Sequence, residues 1–449
     1  MVDFGSLESS SAVRALADGS LVQLYRSSAF ATAATTSIEG RELNTYFTAG
    51  QTVTVQRPKD IGAAQAYDPR SGVDATSAEP GNVIISILLD RLFTAGFPIF
   101  SSDAQVERYV RDYSRSTGGA VRKAFDDYLY ARGFREWDTL AASGDVALDG
   151  HPPVQIAFRE TSGGDLEEMG DELLRSAGAT LSSNEVPEDE MRYARISTRA
   201  AESYLGAITP VTGAALTEGQ IPLGQQLLQQ PSYMTRDFSM RGFMIRGSNA
   251  VTGQSAVDDT GDGNATEEIG AVVAATTGNE FTLGDFTTAT PAGAVRLTIT
   301  QTANLDAGIA VGKIARVGPD SGPATAYGVI LRVDVANKFV WLVPYNNRGQ
   351  KLKAAQIATA TNKFGVPSIG SINPAYHKEH LAFATRLLQG PSPGSGAVAE
   401  NAIDQDAGLV MQVLKGSYNV DQFKESVRTA CLCGAKPTDL RKAVLMLSA

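Results

Sequence analysis

Cysteine and histidine are nearly absent: two of the first and three of the second occur in 449 residues. Two cysteines exclude a disulfide-stapled scaffold. Three histidines leave little material for a histidine-rich metal site. Tryptophan occurs twice, and all aromatics together are 7% of the chain, sparse for a base-stacking surface. Basic residues are in deficit, 39 against 49 acidic, for a formal charge of −10. A protein that follows phosphates along a groove has the opposite balance; an acidic surface repels nucleic acid. Long apolar runs are also missing. The most hydrophobic stretch, Asn82 to Leu89, stops at Asp90-Arg91, too short to cross a bilayer. Met1-Val2-Asp3-Phe4 lacks the basic opening of a leader peptide. These absences predict a soluble protein made in a reducing cytoplasm, with no membrane partner.

What remains is an ordinary globular composition, 43% hydrophobic and 20% charged. It supports about two to four folded units at roughly 100–200 residues each. The first 40 residues are rich in Ser, Ala and Thr, with a weak helical stripe through Val13, Leu16, Leu21, Leu24 and Tyr25. They read as an extended arm. Gly50 to Pro58 alternates apolar and polar residues and carries β-branched side chains, the pattern of a half-exposed strand stopped by proline. From Asp60 to Gly81 there are few large apolar residues and several turn pairs, Asp68-Pro69, Ser71-Gly72 and Pro80-Gly81. A loop this long with no core of its own reaches out to something else.

Asn82 to Phe100 reads as strand. Ser102-Asp103-Ala104-Gln105 then offers a capping box. Val106, Tyr109, Val110 and Tyr113, followed by Val121, Phe125, Tyr128 and Leu129, keep helical spacing to Arg132. That predicts a helix of about 45 Å at 1.5 Å per residue, with Gly118-Gly119 at its middle. Residues 160–190 hold ten acids and one base, with a helix expected from Asp165 to Leu174. Met191 to Ile196 reads as a strand and Ser197 to Leu205 as a short helix. Beyond Gly247 the character changes. Val295 to Thr300, Ile309 to Val317, Tyr327 to Val335 and Lys338 to Val343 are strand patterns parted by turns, which predicts a small barrel or sandwich. Gly408 to Leu414 is another strand. Phe423 to Gly434 and Ala443 to Leu447 read as a final pair joined around Ala435-Lys436-Pro437.

The chemistry is quiet. Asp258, Asp262 and Asn264 begin something like a calcium loop, but the twelfth position is Ile269, where a bidentate Glu is required. The plainer reading is a solvated acidic turn, and no cofactor is assigned. His377 and His380 stand at i, i+3, where a zinc-protease helix needs i, i+4; they read as exposed polar residues. Cys431 and Cys433 share one strand face as two small buried side chains. There is no phosphate-cradling Gly-Lys-Ser/Thr loop, nucleophile elbow or isolated carboxylate pair. The chain is expected not to be an enzyme. Arg108, Arg111 and Arg115 lie on the long helix, either as a solvated face or as a charged contact to neighbouring subunits.

The order of these elements resembles the major capsid proteins of tailed bacteriophages that share the Hong Kong phage fold. The likeness is nearest to the coat proteins of short-tailed enterobacterial phages, which carry an inserted β-barrel. It rests on the Gly50–Pro58 strand, the outreaching loop, the long helix from Ser102, and the ending with Arg428, Leu432, Gly434 and Pro437. The resemblance implies an α+β fold with an N-terminal arm (1–44) and an extended-loop hairpin (45–82). A peripheral domain with a spine helix (83–141 and 405–449), an axial domain (142–247 and 348–404) and an inserted all-β barrel (248–347) complete it. It implies a major capsid protein whose pentamers and hexamers form an icosahedral shell around double-stranded DNA. Assembly would take place in the host bacterial cytoplasm, and the product would be a virion. The implied partners are copies of itself, a scaffolding protein, a portal, a decoration protein, and packaged DNA touched without base specificity. Gln51, Arg57, Asp60, Tyr67, Asp68 and Arg70 on the loop, with the three helix arginines, are the subunit-interface candidates. The competing readings are a secreted or surface calcium-binding β-rich module and a hydrolase with an appended barrel.

Overall fold

The computed structural model describes residues 17–21, 24, 28–36, 46–47, 49–58, 82–100, 106–135, 155–189, 191–207, 237–257, 270–277, 294–300, 309–319, 322–357, 362–390, 397–404, 409–416 and 424–449. The chain divides into two compact units. One contains Met1–Leu21, Thr36–Gly118 and Ala382–Lys436; the other contains Val22–Thr35, Gly119–Leu381 and Pro437–Ala449.

The first unit is built on a sheet in which Leu381–Leu388, Lys424–Pro437, Leu409–Lys415 and Val398–Asp404 follow one another. Arg91–Phe100 runs antiparallel to Lys424–Pro437 through ten consecutive pairs, from Lys424 opposite Phe100 to Cys433 opposite Arg91. Tyr46–Phe47 adds a short parallel pairing to Leu387 and Leu388. Thr52–Pro58 and Asn82–Leu88 form a separate antiparallel ribbon of seven pairs. The period-two pattern read from the sequence explains it: Val53, Ile85 and Ile87 turn inward while Thr52, Ser86 and Leu88 face out.

The long helix runs Val106–Tyr130, 25 residues or about 37 Å, and continues as a π-helical turn over Ala131–Arg135. It passes through Gly118-Gly119 without interruption. Its start, predicted at Ser102, lies outside the described residues.

The second unit has a six-stranded sheet in the order Gln155–Phe158, Ala443–Ser448, Ser371–His377, Arg192–Ser197, Phe243–Ser248, Phe238–Met240. One face packs Ala194, Ile196, Phe243, Ile245, Ala375, Val444 and Met446 against Leu173, Leu174, Ala177 and Leu181 of helix Asp171–Ser183. Ala200, Ala201 and Tyr204 of helix Thr198–Ala207 join the same cluster. Each large apolar side chain buried here contributes about 1.5–3 kcal/mol. The other face carries Arg195 and Tyr376, both buried.

A closed barrel belongs to the same unit: Gly270–Thr277, Val295–Thr300, Phe339–Tyr345, Ala326–Asp334, Ile314–Pro319 and Asn362–Gly365. Val295, Leu297, Ile299, Val317, Ile330, Val340, Leu342 and Phe364 pack together as its apolar core. Glu160 ties it to the sheet, its carboxylate accepting from Tyr327 Oη at 2.8 Å and from the Ala324 amide. Gln254 closes another side, donating to Ile314 O and accepting from Ile314 N, both at 2.8 Å.

The structure departs from the sequence reading in five places. The two final strands are not a pair. Lys424–Pro437 lies in the first unit's sheet, whereas Ala443–Ser448 sits between Gln155–Phe158 and Ser371–His377 in the second. Every residue of Ala443–Ser448 is buried, which requires cover on both faces and a neighbour on each side. The barrel is closed by Asn362–Gly365, beyond the expected limit at 347. Leu381–Leu388 and Val398–Asp404, grouped by the sequence with residues 142–247, pair instead with the strands after residue 405. The helix expected from Asp165 begins at Asp171, because 160–166 is held in a tight turn by the Glu160–Leu166 bridge and the Thr161 amide on Asp165 O. Finally, His377 and His380 are buried and not exposed.

Candidate functional site

Two of the loop candidates are described, at opposite ends of the Thr52–Pro58/Asn82–Leu88 ribbon. Gln51 is exposed at its mouth, its carbonyl accepting from Leu89 N at 2.9 Å; the Gly50 amide donates to Leu89 O at 2.8 Å. Gly50 has φ 94°, the left-handed region that glycine enters without strain. Arg57 stands opposite Val83 near the far end. Asp60, Tyr67, Asp68 and Arg70 lie outside the described residues, as do Asp258, Asp262 and Asn264. Arg108, Arg111 and Arg115 fall in the first turns of the long helix. Among the described residues, no group of three or more His, Cys, Asp or Glu is placed to hold a metal ion.

The ribbon is anchored at one end. Val53, Ile85, Ile87 and Leu89 pack with Ala382, Ala384 and Leu432. Gly434 makes this approach possible: a Cβ there would stand 2.1 Å from Leu88 O and 2.9 Å from Ile87 Cγ2. Two of the four closing residues that carried the resemblance therefore belong to the seat of the ribbon, Leu432 packed beneath it and Gly434 giving room.

Sequence reasoning missed a buried polar cradle in the second unit. Asp126, on the long helix, accepts from Ser28 Oγ and from the amides of Ala29 and Phe30, at 2.5, 3.2 and 3.3 Å. From the sheet side Arg195 Nε donates to Ala29 O at 2.6 Å, and Arg246 Nη1 to Ser28 O at 3.0 Å. Arg195 also pairs with Asp237 at 2.7 Å. Phe30 is fully buried beside Tyr130 and Phe134. A short N-terminal segment is thus held by two opposing charges, as a bound peptide would be. Burial pushes the Asp126 carboxyl above its usual range, against its three hydrogen bonds. Burial, together with the nearby Arg195 charge, lowers Arg246. The available signal was Asp126 between the buried apolar residues Phe125 and Leu129, and Arg195 between Ala194 and Ile196.

His377 Nδ1 accepts from the Glu379 amide at 3.3 Å, leaving Nε2 to face Asp189 at 3.3 Å. His380 lies between two carbonyls, Asp439 O at 2.8 Å and Gly133 O at 3.2 Å, and stacks on Phe134. Burial lowers its pKa below that of a free imidazole, against the pull of both carbonyls. Cys431 and Cys433 are unbridged and buried, and burial pushes the Cys431 thiol up to about 12.

No family model matches the sequence, and no curated protein matches it. Among solved structures, one titled Mycobacterium phage Che8 aligns over 93% of this chain and 90% of its own, at 12% identity and a TM-score of 0.38. Another, the capsid asymmetric unit of cyanophage Pam1, aligns over 94% and 92%, at 12% identity and a TM-score of 0.40. The capsid of cyanophage P-SCSP1u aligns over 91% and 87%, at 12% and 0.35. At such identities and TM-scores these likenesses carry no argument for function.

Proposed function

We propose that the chain is the major capsid protein of a tailed bacteriophage, a coat subunit that assembles with its copies into an icosahedral shell of hexamers and pentamers around double-stranded DNA. The observation that carries this reading is the Thr52–Pro58/Asn82–Leu88 ribbon. Its strands pair with each other and, among the described residues, with no third strand. An isolated two-stranded ribbon is marginal in water. Among the described side chains, its base has an apolar seat within the chain, through Val53, Ile85, Ile87 and Leu89. Extending it costs backbone entropy that nothing described in its own chain repays beyond that seat. A second copy laid under the ribbon supplies the missing contact. A contact made by a different surface on each partner is heterologous, and closes into rings when the rotation permits.

In this reading 45–82 is the extended loop, the long helix is the spine of the peripheral domain, the six-stranded sheet with its two helices is axial, and the barrel is an insertion. The subunit works by binding and carries no catalytic step. A scaffolding protein, portal and decoration protein would complete the particle, and packaged DNA would meet the acidic wall without base-specific contacts.

Deleting residues 60–81 and closing the ribbon with a short turn tests this. The variant is expected to keep the far-ultraviolet spectrum and melting behaviour of a folded chain, and to form no shells. Complete shells from the deletion variant would refute the role given to the ribbon.

A further inference from the structure

The face of the Arg91–Phe100/Lys424–Pro437 strand pair that carries Leu92 and Arg428 is only partly covered. In this ladder the even-numbered residues point one way: Leu92 opposite Leu432, Thr94 opposite Ala430, Gly96 opposite Arg428, Pro98 opposite Ser426. The chain's own ribbon covers one end, over Leu432 and Gly434. Beyond it Ala430 is still buried, and the open part runs along Leu92 to Pro98 with Ser426 and Arg428. Leu92 is 47% exposed, Leu88 beside it is 49% exposed, and Thr94, Gly96, Pro98 and Arg428 are exposed as well. The opposite face, with Val427, Thr429, Cys431 and Cys433, is buried.

Arg428 gives this face its chemistry. A Cβ on Gly96 would stand 2.9 Å from Arg428 Cγ, so the arginine stem lies flat across the glycine. That leaves a laid-down aliphatic chain, with its guanidinium beyond. The Arg428 side chain has no ion pair or hydrogen bond among the described residues, while its backbone pairs with Gly96 and Leu414 in the sheet. Arg428 is exposed on a face that also carries the exposed Leu92, two same-face ladder pairs away; arginine together with apolar surface is the composition of an interface centre. Its planar fork suits a carboxylate.

We propose that this open face docks a carboxylate-bearing surface of a second copy of the chain, with Arg428 as its charged anchor and Leu88 and Leu92 as its apolar rim. This rests on the coat-protein reading and adds a receiving surface to it. Two observations favour a copy as occupant. The face continues directly from the ribbon base, where this chain already lays its own strands on the same side of the sheet. Every copy also carries a charge of −10, so a facing copy is rich in carboxylates and short of cations. An unpaired arginine converts repulsion between such copies into oriented contact.

The test uses the full-length chain. Wild type, Arg428→Glu and Arg428→Lys are compared by sedimentation velocity over a concentration series, with melting temperature as the control for folding. Leu92→Ser serves as a second, uncharged variant. Arg428→Glu is expected to melt like wild type yet need about tenfold or more protein to assemble. Arg428→Lys should fall between them, and Leu92→Ser should weaken assembly without changing its salt dependence. Amide exchange of 91–98 and 426–430 should slow on assembly. If wild type assembles and Arg428→Glu assembles at the same concentration, the docking face is wrong and the coat reading survives. If wild type never assembles, both fail. If Arg428→Glu assembles normally but loses salt-sensitive binding to duplex DNA, the occupant is a polyanion and the proposal is overturned.

Discussion

Asp126 stands where the helix meets the N-terminal segment, and its three donors have no other acceptor in the contacts described. Asp126→Ala strands Ser28 Oγ and two amides, and leaves Arg195 and Arg246 buried with one carboxylate fewer. The expected cost is about 3 kcal/mol, read from the midpoint of a urea titration. His380 gives a pH dependence with a definite sign. Its folded pKa lies below the free value of 6.5, so the unfolded chain takes up the proton first as pH falls. The stability it contributes is present above about pH 6.5 and lost as pH drops through and below that value. Melting temperature should therefore fall between pH 7 and pH 5 in the wild type, and less steeply in His380→Gln. The buried thiols of Cys431 and Cys433 should resist a thiol-specific reagent in the native protein and react fully once denatured. The burial of Cys431 and Cys433 was legible in the sequence, but that of Asp126, Arg195, Arg246 and His380 was not. A buried arginine and an exposed one are the same letter. The spacing of His377 and His380 spoke only to a metal motif, not to the Asp189 carboxylate that faces His377 or the two carbonyls around His380.

At the scale of elements, local pattern and long-range pairing separate cleanly. The strands Thr52–Pro58, Val295–Thr300 and Phe339–Tyr345, and the long helix, were legible because each carries its own period of apolar side chains. Pairing partners carry no such local mark. Ala443–Ser448 looked like the return of a hairpin, but the turn before it follows Thr438 onto His380 O and delivers the strand to a different sheet. Asn362–Gly365 is four residues long and weakly patterned, and only barrel closure reveals it. Gly434 is where an element-level prediction is sharpest. Gly434→Val places a branched side chain against Leu88 O and Ile87, at distances no relaxed Cβ occupies. The ribbon must lift from its seat. The expected loss is about 1–3 kcal/mol in stability. Limited proteolysis should then cut at 82–88 in the variant and spare it in the wild type.

The whole molecule is two compact units, a filled barrel and a ribbon whose seat in its own chain covers only one end. Among the described residues, the ribbon pairs with no third strand, and Leu92 and Arg428 beside its seat are exposed. The fold class was legible in the sequence as an order of elements; the seat of the ribbon was legible only in part, through Leu432 and Gly434. The central claim is that this chain completes itself against copies of itself. Negative-stain imaging of the purified full-length chain over a rising concentration series, with and without an assembly helper, tests it most directly. The account predicts rings and closed shells of uniform diameter. A compact, well-folded monomer at every concentration would contradict it.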